Sequence, residues 1–201
     1  MKKESENTLL VMVDNGHGRE TPGKCSPDGR IKEWEWTRRA GKDIVKRLLA
    51  NGVDAALLVP EERDVPLRER CRRARTSGSG RNAVLLSIHV NAAGDGGVWH
   101  NARGFCAFVA PGASRQSVRM ASLLTSLAGE RGLSGNRCVP PDGCWRGNFA
   151  ILRDTPMPAV LTENLFMDNR EDAAFLDTDV GLDAVVQLHV DAVLKYFNTQ
   201  G

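Results

Sequence analysis

No apolar run in this chain approaches the ~20 residues that a helix needs to cross a bilayer, so insertion into a membrane is not expected. Nor is there a CxxC pair. The cysteines are five in number (Cys25, Cys71, Cys106, Cys138, Cys144), which argues for reduced thiols rather than a disulfide framework, and their spacing matches no structural zinc site. An excess of one charge sign is missing too: 27 basic residues nearly cancel 25 acidic ones, so composition favours neither nucleic acid nor an anionic membrane as partner. The opening Met1–Asn7 lacks the architecture of a secretory signal, because acids follow its two lysines and the apolar run Leu9–Val13 is shorter than an h-region of roughly 7–15 residues. The expectation is synthesis and folding in the cytoplasm, with residues 1–7 as a flexible N-terminus. Repeats and low-complexity tracts are absent.

What is present fits one domain over residues 1–201. Short runs rich in Val, Ile and Leu on both parities (Leu9–Val13, Ala55–Val59, Val84–Ile88, Phe105–Val109 and Ala159–Leu161) read as strands buried on both faces. Helical patterns lie between them. The first, from about Glu33 to Ala50, carries Trp36, Ala40, Ile44 and Leu48 on one stripe and is closed by Asn51-Gly52. Another follows Ser114, with Val118, Ala121 and Leu124 inward, and the last spans Val180 to Phe197. This alternation predicts an α/β fold: a single domain with a mostly parallel twisted sheet flanked by helices on both faces. Residues 132–149 show no periodicity, and so long a connection is expected to wall a groove.

Three polar residues fall where strands are expected to end: His17 after the first, His89 after the third and Glu163 after a later one. Ligands in open α/β sheets bind beyond the carboxyl ends of the strands, so parallel strands would bring these groups to one rim. Two imidazoles and one or two carboxylates are the donor set of a catalytic zinc, which takes three protein ligands and leaves a position for water. Glu33 can supply the third ligand, leaving another carboxylate as general base. Glu35 competes with it, but residues two apart on a helix point roughly 200° apart, and Glu33 shares the face of Trp36. Each residue also has a plainer reading: a structural or surface histidine, a first-turn acid favoured by the helix dipole, or a turn cap. The arginines at 68, 70, 72, 73 and 75 scatter around a helix beside Glu61, Glu62, Asp64 and Glu69, which favours a solvated face over nucleic-acid binding. Trp36 and His189 belong to apolar stripes and read as core, whereas Trp145 in the long loop is a candidate for stacking on sugar.

The order of these segments resembles that of the zinc-dependent N-acetylmuramoyl-L-alanine amidases of the type-3 amidase family. Asp14-Asn15-Gly16-His17-Gly18 is similar to the opening motif of that family, Lys32-Glu33 to its ligand glutamate, and Val65-Pro66-Leu67 with Arg70 to its arginine-containing helix start. Ser87-Ile88-His89-Val90-Asn91-Ala92 and the stretch from Ala150-Ile151-Leu152-Arg153 through Thr162-Glu163, Phe166 and Asn169 resemble its later motifs. Asn15 stands where the family usually has proline, and Asn164-Leu165 where it commonly has a glycine. The resemblance implies one Zn2+ held by His17, Glu33 and His89, a catalytic Glu163, and hydrolysis of the amide between N-acetylmuramic acid and L-alanine in peptidoglycan. Asn91, Arg153 and Trp145 are candidate substrate contacts. A monomer acting at the cell wall, with no nucleic-acid partner, is expected. Two rivals differ in chemistry: a zinc peptidase or carboxypeptidase on the stem peptide, and a cell-wall-binding module that does not cut.

Overall fold

The structure is a computed structural model describing residues 9–95 and 97–198. Residues 1–7, expected to form a flexible lead, lie outside the described residues. Six strands, β1 (Leu10–Asn15), β2 (Asp54–Leu57), β3 (Ala83–Asn91), β4 (Cys106–Val109), β5 (Trp145–Arg146) and β6 (Ala159–Phe166), form one sheet in the order β2-β1-β3-β6-β4-β5. Every neighbouring pair is parallel except β4 with β6. Six helices accompany them among the described residues: α1 (Glu33–Ala50), α2 (Leu67–Gly78), α3 (Arg115–Glu130), α4 (Ala150–Arg153), α5 (Arg170–Leu176) and α6 (Asp179–Asn198).

Alternate residues of each strand serve opposite faces. Val11, Val13, Leu86, Ile88 and Val160 meet the stripes of α1, α3 and α6 in the larger core, which includes Trp36, Ile44, Leu124 and Val186. Leu10, Met12, Leu85 and Leu161 meet Cys71 and Ala74 of α2 and Ile151 and Leu152 of the single-turn α4. Both faces are covered, which is why the strands read as continuous apolar runs. The cover is unequal, however, and the thinner α2–α4 side leaves room above the strand ends.

α1 closes as its Asn51-Gly52 pair predicts. Gly52 is left-handed (φ +76°), Val53 N–H donates to the Leu48 carbonyl and Gly52 N–H to that of Leu49, both at 3.0 Å. At mid-helix, Gly41 has no room for a Cβ, which would collide with the Asn15 side chain; α1 therefore lies close against the end of β1. His189 is the buried core histidine its stripe suggests, 2.8 Å from the Val185 carbonyl and 2.9 Å from Thr162 Oγ1. All five cysteines are free.

The strands differ from expectation at their ends. β3 and β6 run on through His89 and Glu163 instead of stopping before them. Polar side chains inside β6 are tolerated because they find partners: Thr162 pairs with His189, and Asn164 Nδ2 donates to the His89 carbonyl at 2.9 Å. α5 was not expected; Asn169 caps it, accepting from the N–H groups of Glu171 and Asp172. No described helix is long and apolar enough to cross a membrane.

Candidate metal centre

Asp14, Ser87, His89 and Glu163 share strand parity with the α2–α4 core, so their side chains rise on the thinly covered side. His89 and Glu163 are direct neighbours in the parallel register. Glu33 arrives from the opposite layer: as the first residue of α1, it hangs over the rim although the helix packs on the other face. His17 follows β1 in a left-handed conformation (φ +56°), which costs a side chain of this size about 1–2 kcal/mol. Gly16, just before it, makes room for the neighbouring imidazole, since a Cβ there would lie 2.5 Å from His89 Nδ1.

The two rings meet edge to face with centroids 5.1 Å apart. Glu33 Oε1 is 3.0 Å from His89 Nδ1 and accepts the Val90 N–H at 3.0 Å; its Oε2 is 3.4 Å from His17 Nε2. One donor atom from each of His17, Glu33 and His89 can be chosen so that all lie within 4.8 Å of one another, and Glu163 is not part of that set. Glu33 is only 1% exposed, and its Oε2 and the shielded Oε2 of Glu163 have no hydrogen-bond partner. Two buried carboxylate oxygens without a hydrogen bond beside two imidazoles fit a divalent cation that prefers nitrogen and oxygen donors. Glu35, two residues on, is exposed and takes no part.

Electrostatics separate the groups. Burial is the main cause that brings His17 down to about 4, keeping the ring neutral as a ligand must be; the charges of His89, Lys24 and Arg70 act the same way and that of Glu33 opposes them. Burial alone would lower His89 as well, but its bond to Glu33 and the charges of Glu33 and Glu163 leave it raised. Burial works to raise Glu33, and its contacts with His89, His17 and the Val90 N–H hold it below the usual range. Glu163 has no such contacts, and burial pushes it up to about 7, with the Glu33 charge adding to the effect and His89 and Lys24 opposing it.

A cavity of about 380 Å³ opens over this group. His17, His89, Glu163 and Lys24 form its polar wall; Val65, Leu67, Phe149, Ile151 and Leu161 form its apolar one. Asn91, Arg153 and Trp145 do not line it. The Asn91 side chain turns back to accept the Ala92 N–H, Arg153 pairs with Asp154 and reaches Asn148, and Trp145 packs on Phe108 with centroids 6.0 Å apart. The 132–149 loop reaches the cavity only at its end, where Phe149 packs edge-on against Phe108.

Arg70 corrects the reading of its arginine run as a solvated face. Arg68, Arg72 and Arg75 are exposed, but Arg70 is 3% exposed and ion-pairs with Asp14 at 2.9 Å, Asp14 in turn accepting the Ser87 hydroxyl at 2.6 Å. Its position inside the Val65-Pro66-Leu67 motif was the signal for this. Arg38 gave no signal: it stands beside the exposed Arg39, yet is buried.

Residues 11–195 match the sequence profile of a family described as N-acetylmuramoyl-L-alanine amidase. The chain is 30% identical over 189 residues to an endolysin of Bacillus phage SPP1, covering 94% of this chain and 66% of that one. It is 27% identical over 192 residues to the N-acetylmuramoyl-L-alanine amidase CwlM of Bacillus licheniformis, covering 94% and 69%. The chain thus spans about two thirds of the length of these relatives. Among solved structures, an N-acetylmuramoyl-L-alanine amidase from Clostridium difficile 630 superimposes with a TM-score of 0.84 at 23% identity, over 98% of this chain and 100% of that one, a likeness of fold.

Proposed function

The chain belongs to the N-acetylmuramoyl-L-alanine amidase family, and from that premise we propose that it is a zinc-dependent hydrolase cleaving the amide between N-acetylmuramic acid and L-alanine in peptidoglycan. The observation that carries the reading is the pair of buried carboxylate oxygens that make no hydrogen bond, Glu33 Oε2 and Glu163 Oε2, at a rim with two imidazoles. Such an oxygen costs a folded chain about 1–3 kcal/mol, more when charged, unless a ligand completes it.

His17, Glu33 and His89 would hold the ion. When bound, zinc supplies Lewis acidity to the scissile carbonyl and to the attacking water. Glu163, outside the ligand set but beside His89 in the sheet, takes the proton from that water and returns it to the departing alanine nitrogen, as an amide with a poor leaving group requires. The apolar wall of Leu67, Phe149, Ile151 and Leu161 limits water around Glu163 and strengthens the local field. The proposed place of action is the cell wall, with the chain working as a monomer on peptidoglycan or muropeptides.

Stripping metal with a chelator, restoring zinc and following new amino groups released from purified peptidoglycan tests the reading. Loss on stripping and recovery with zinc are expected. Unchanged release after verified metal removal would refute the metal role.

A further inference from the structure

Arg38 is a buried guanidinium, 4% exposed, whose hydrogen bonds all go to main-chain carbonyls. Nε donates to Glu61 O at 2.7 Å, Nη1 to Trp34 O at 2.9 Å and Gly16 O at 3.3 Å, and Nη2 to His17 O at 2.9 Å. Among the described residues it makes no ion pair with a carboxylate, in contrast to Arg70, which is neutralised by Asp14. A buried cation with no carboxylate in contact is expensive to keep, although the Trp34 ring lies 5.8 Å from it and Asp14, Asp64 and Glu62 act on its charge from further off. What this one does is hold the turn that carries His17.

That turn needs holding. His17 is in the left-handed region, and its carbonyl is gripped from two sides, by Arg38 Nη2 at 2.9 Å and Arg70 Nη2 at 3.0 Å. Thr37 Oγ1 adds a bond to Gly16 O at 3.1 Å. Strained backbone persists only where its surroundings over-determine it. Arg38 also lies five residues after Glu33 on α1, so one rigid helix both presents the Glu33 carboxylate and fixes the backbone from which the His17 imidazole projects.

We propose that Arg38 is a positioning residue for the metal centre: it acts through His17, locking the left-handed turn so that this imidazole stays in register with Glu33 and His89. The inference rests on the reading of those three residues as zinc ligands. Partners that orient a ligand are typically worth 10- to 100-fold in metal affinity, and the loss of Arg38 should fall in that range.

The test is a double-mutant cycle on zinc affinity, measured by competition with a chromophoric chelator, with the unfolding midpoint of each metal-free variant recorded alongside. Arg38→Met in the wild-type background should weaken zinc binding about 10- to 100-fold, and in the His17→Ala background should have little further effect. Arg38→Lys, which keeps a charged donor but not the fork, should recover part of the affinity, and it carries the same cycle if Arg38→Met does not fold. Equal zinc affinity of wild type and Arg38→Met, or an equal loss in both backgrounds, would overturn the positioning role. If the wild-type chain binds no zinc, the metal reading itself falls, and this inference with it.

Discussion

At the scale of single residues, the proposed centre depends on a division of labour between two carboxylates, Glu33 as ligand and Glu163 as base, the assignment the sequence already suggested. Glu33 is braced by His89 and the Val90 N–H, whereas Glu163 stands unbraced next to His89. Glu163→Gln is therefore expected to retain zinc and lose about 10²- to 10⁴-fold in turnover, since the amide cannot accept a proton. Metal analysis beside the rate measurement checks this, and loss of zinc would make Glu163 a ligand. Gly16 makes a second expectation. A methyl there meets the His89 ring, so Gly16→Ala should displace the imidazole and reduce zinc affinity, which isothermal titration would measure. Leu165 adopts φ +66°, the backbone a glycine takes at no steric cost, at the place where the resembling family commonly carries one.

At the scale of elements, α1 was the part most open to sequence reasoning. Its apolar stripe sets the helix phase, and phase alone separates Glu33, turned to the rim, from Glu35, exposed on the flank. Glu33→Ala should strip the site of zinc while Glu35→Ala leaves occupancy intact; elemental analysis of both proteins decides, and the reverse ranking would contradict the geometry. The strand runs likewise implied a parallel sheet and a common rim, because apolar residues on both parities mean burial on both faces. Other features were hidden for physical reasons. Arg70 and Arg38 look like surface charges because most of their acceptors, the Gly16, His17 and Glu61 carbonyls for Arg38 and Asp14 with the Asn15 and His17 carbonyls for Arg70, lie far away in sequence. β5 is two residues long, and α5 has too few turns to show a period. The polar ends of β3 and β6 read as strand stops because their partners, His189 among them, lie in other elements.

α6 contributes a pH dependence. Burial brings His189 down to about 4, so the folded chain keeps it neutral while the unfolded chain protonates near 6.5. The unfolded state binds more protons between those values. Stability from this group is therefore complete above about pH 6.5 and drains away as pH falls toward 4, about 2 kcal/mol of it gone by pH 5. Chemical unfolding at pH 7 and pH 5 should show wild type losing more stability than His189→Gln does. Equal losses would mean that the imidazole is not held neutral.

At the scale of the molecule, the fold builds an unsymmetrical cover. Three long helices and α5 seal one face of the sheet, and the short α2–α4 layer on the other leaves the cavity over His17, His89 and Glu163. Parallel strands bring His89 and Glu163 side by side, and α1 reaches over the rim from the sealed side to complete the proposed ligand set. Such a centre can serve amide hydrolysis in more than one position of a peptidoglycan stem, and the bond chosen defines the enzyme. Mass spectrometry of the products released from purified peptidoglycan by the zinc-loaded chain tests this most directly. The account predicts stem peptides with a free L-alanine amino terminus and glycan strands bearing unsubstituted lactyl groups. Peptides cut within the stem, with the muramyl–alanine amide left intact, would contradict it.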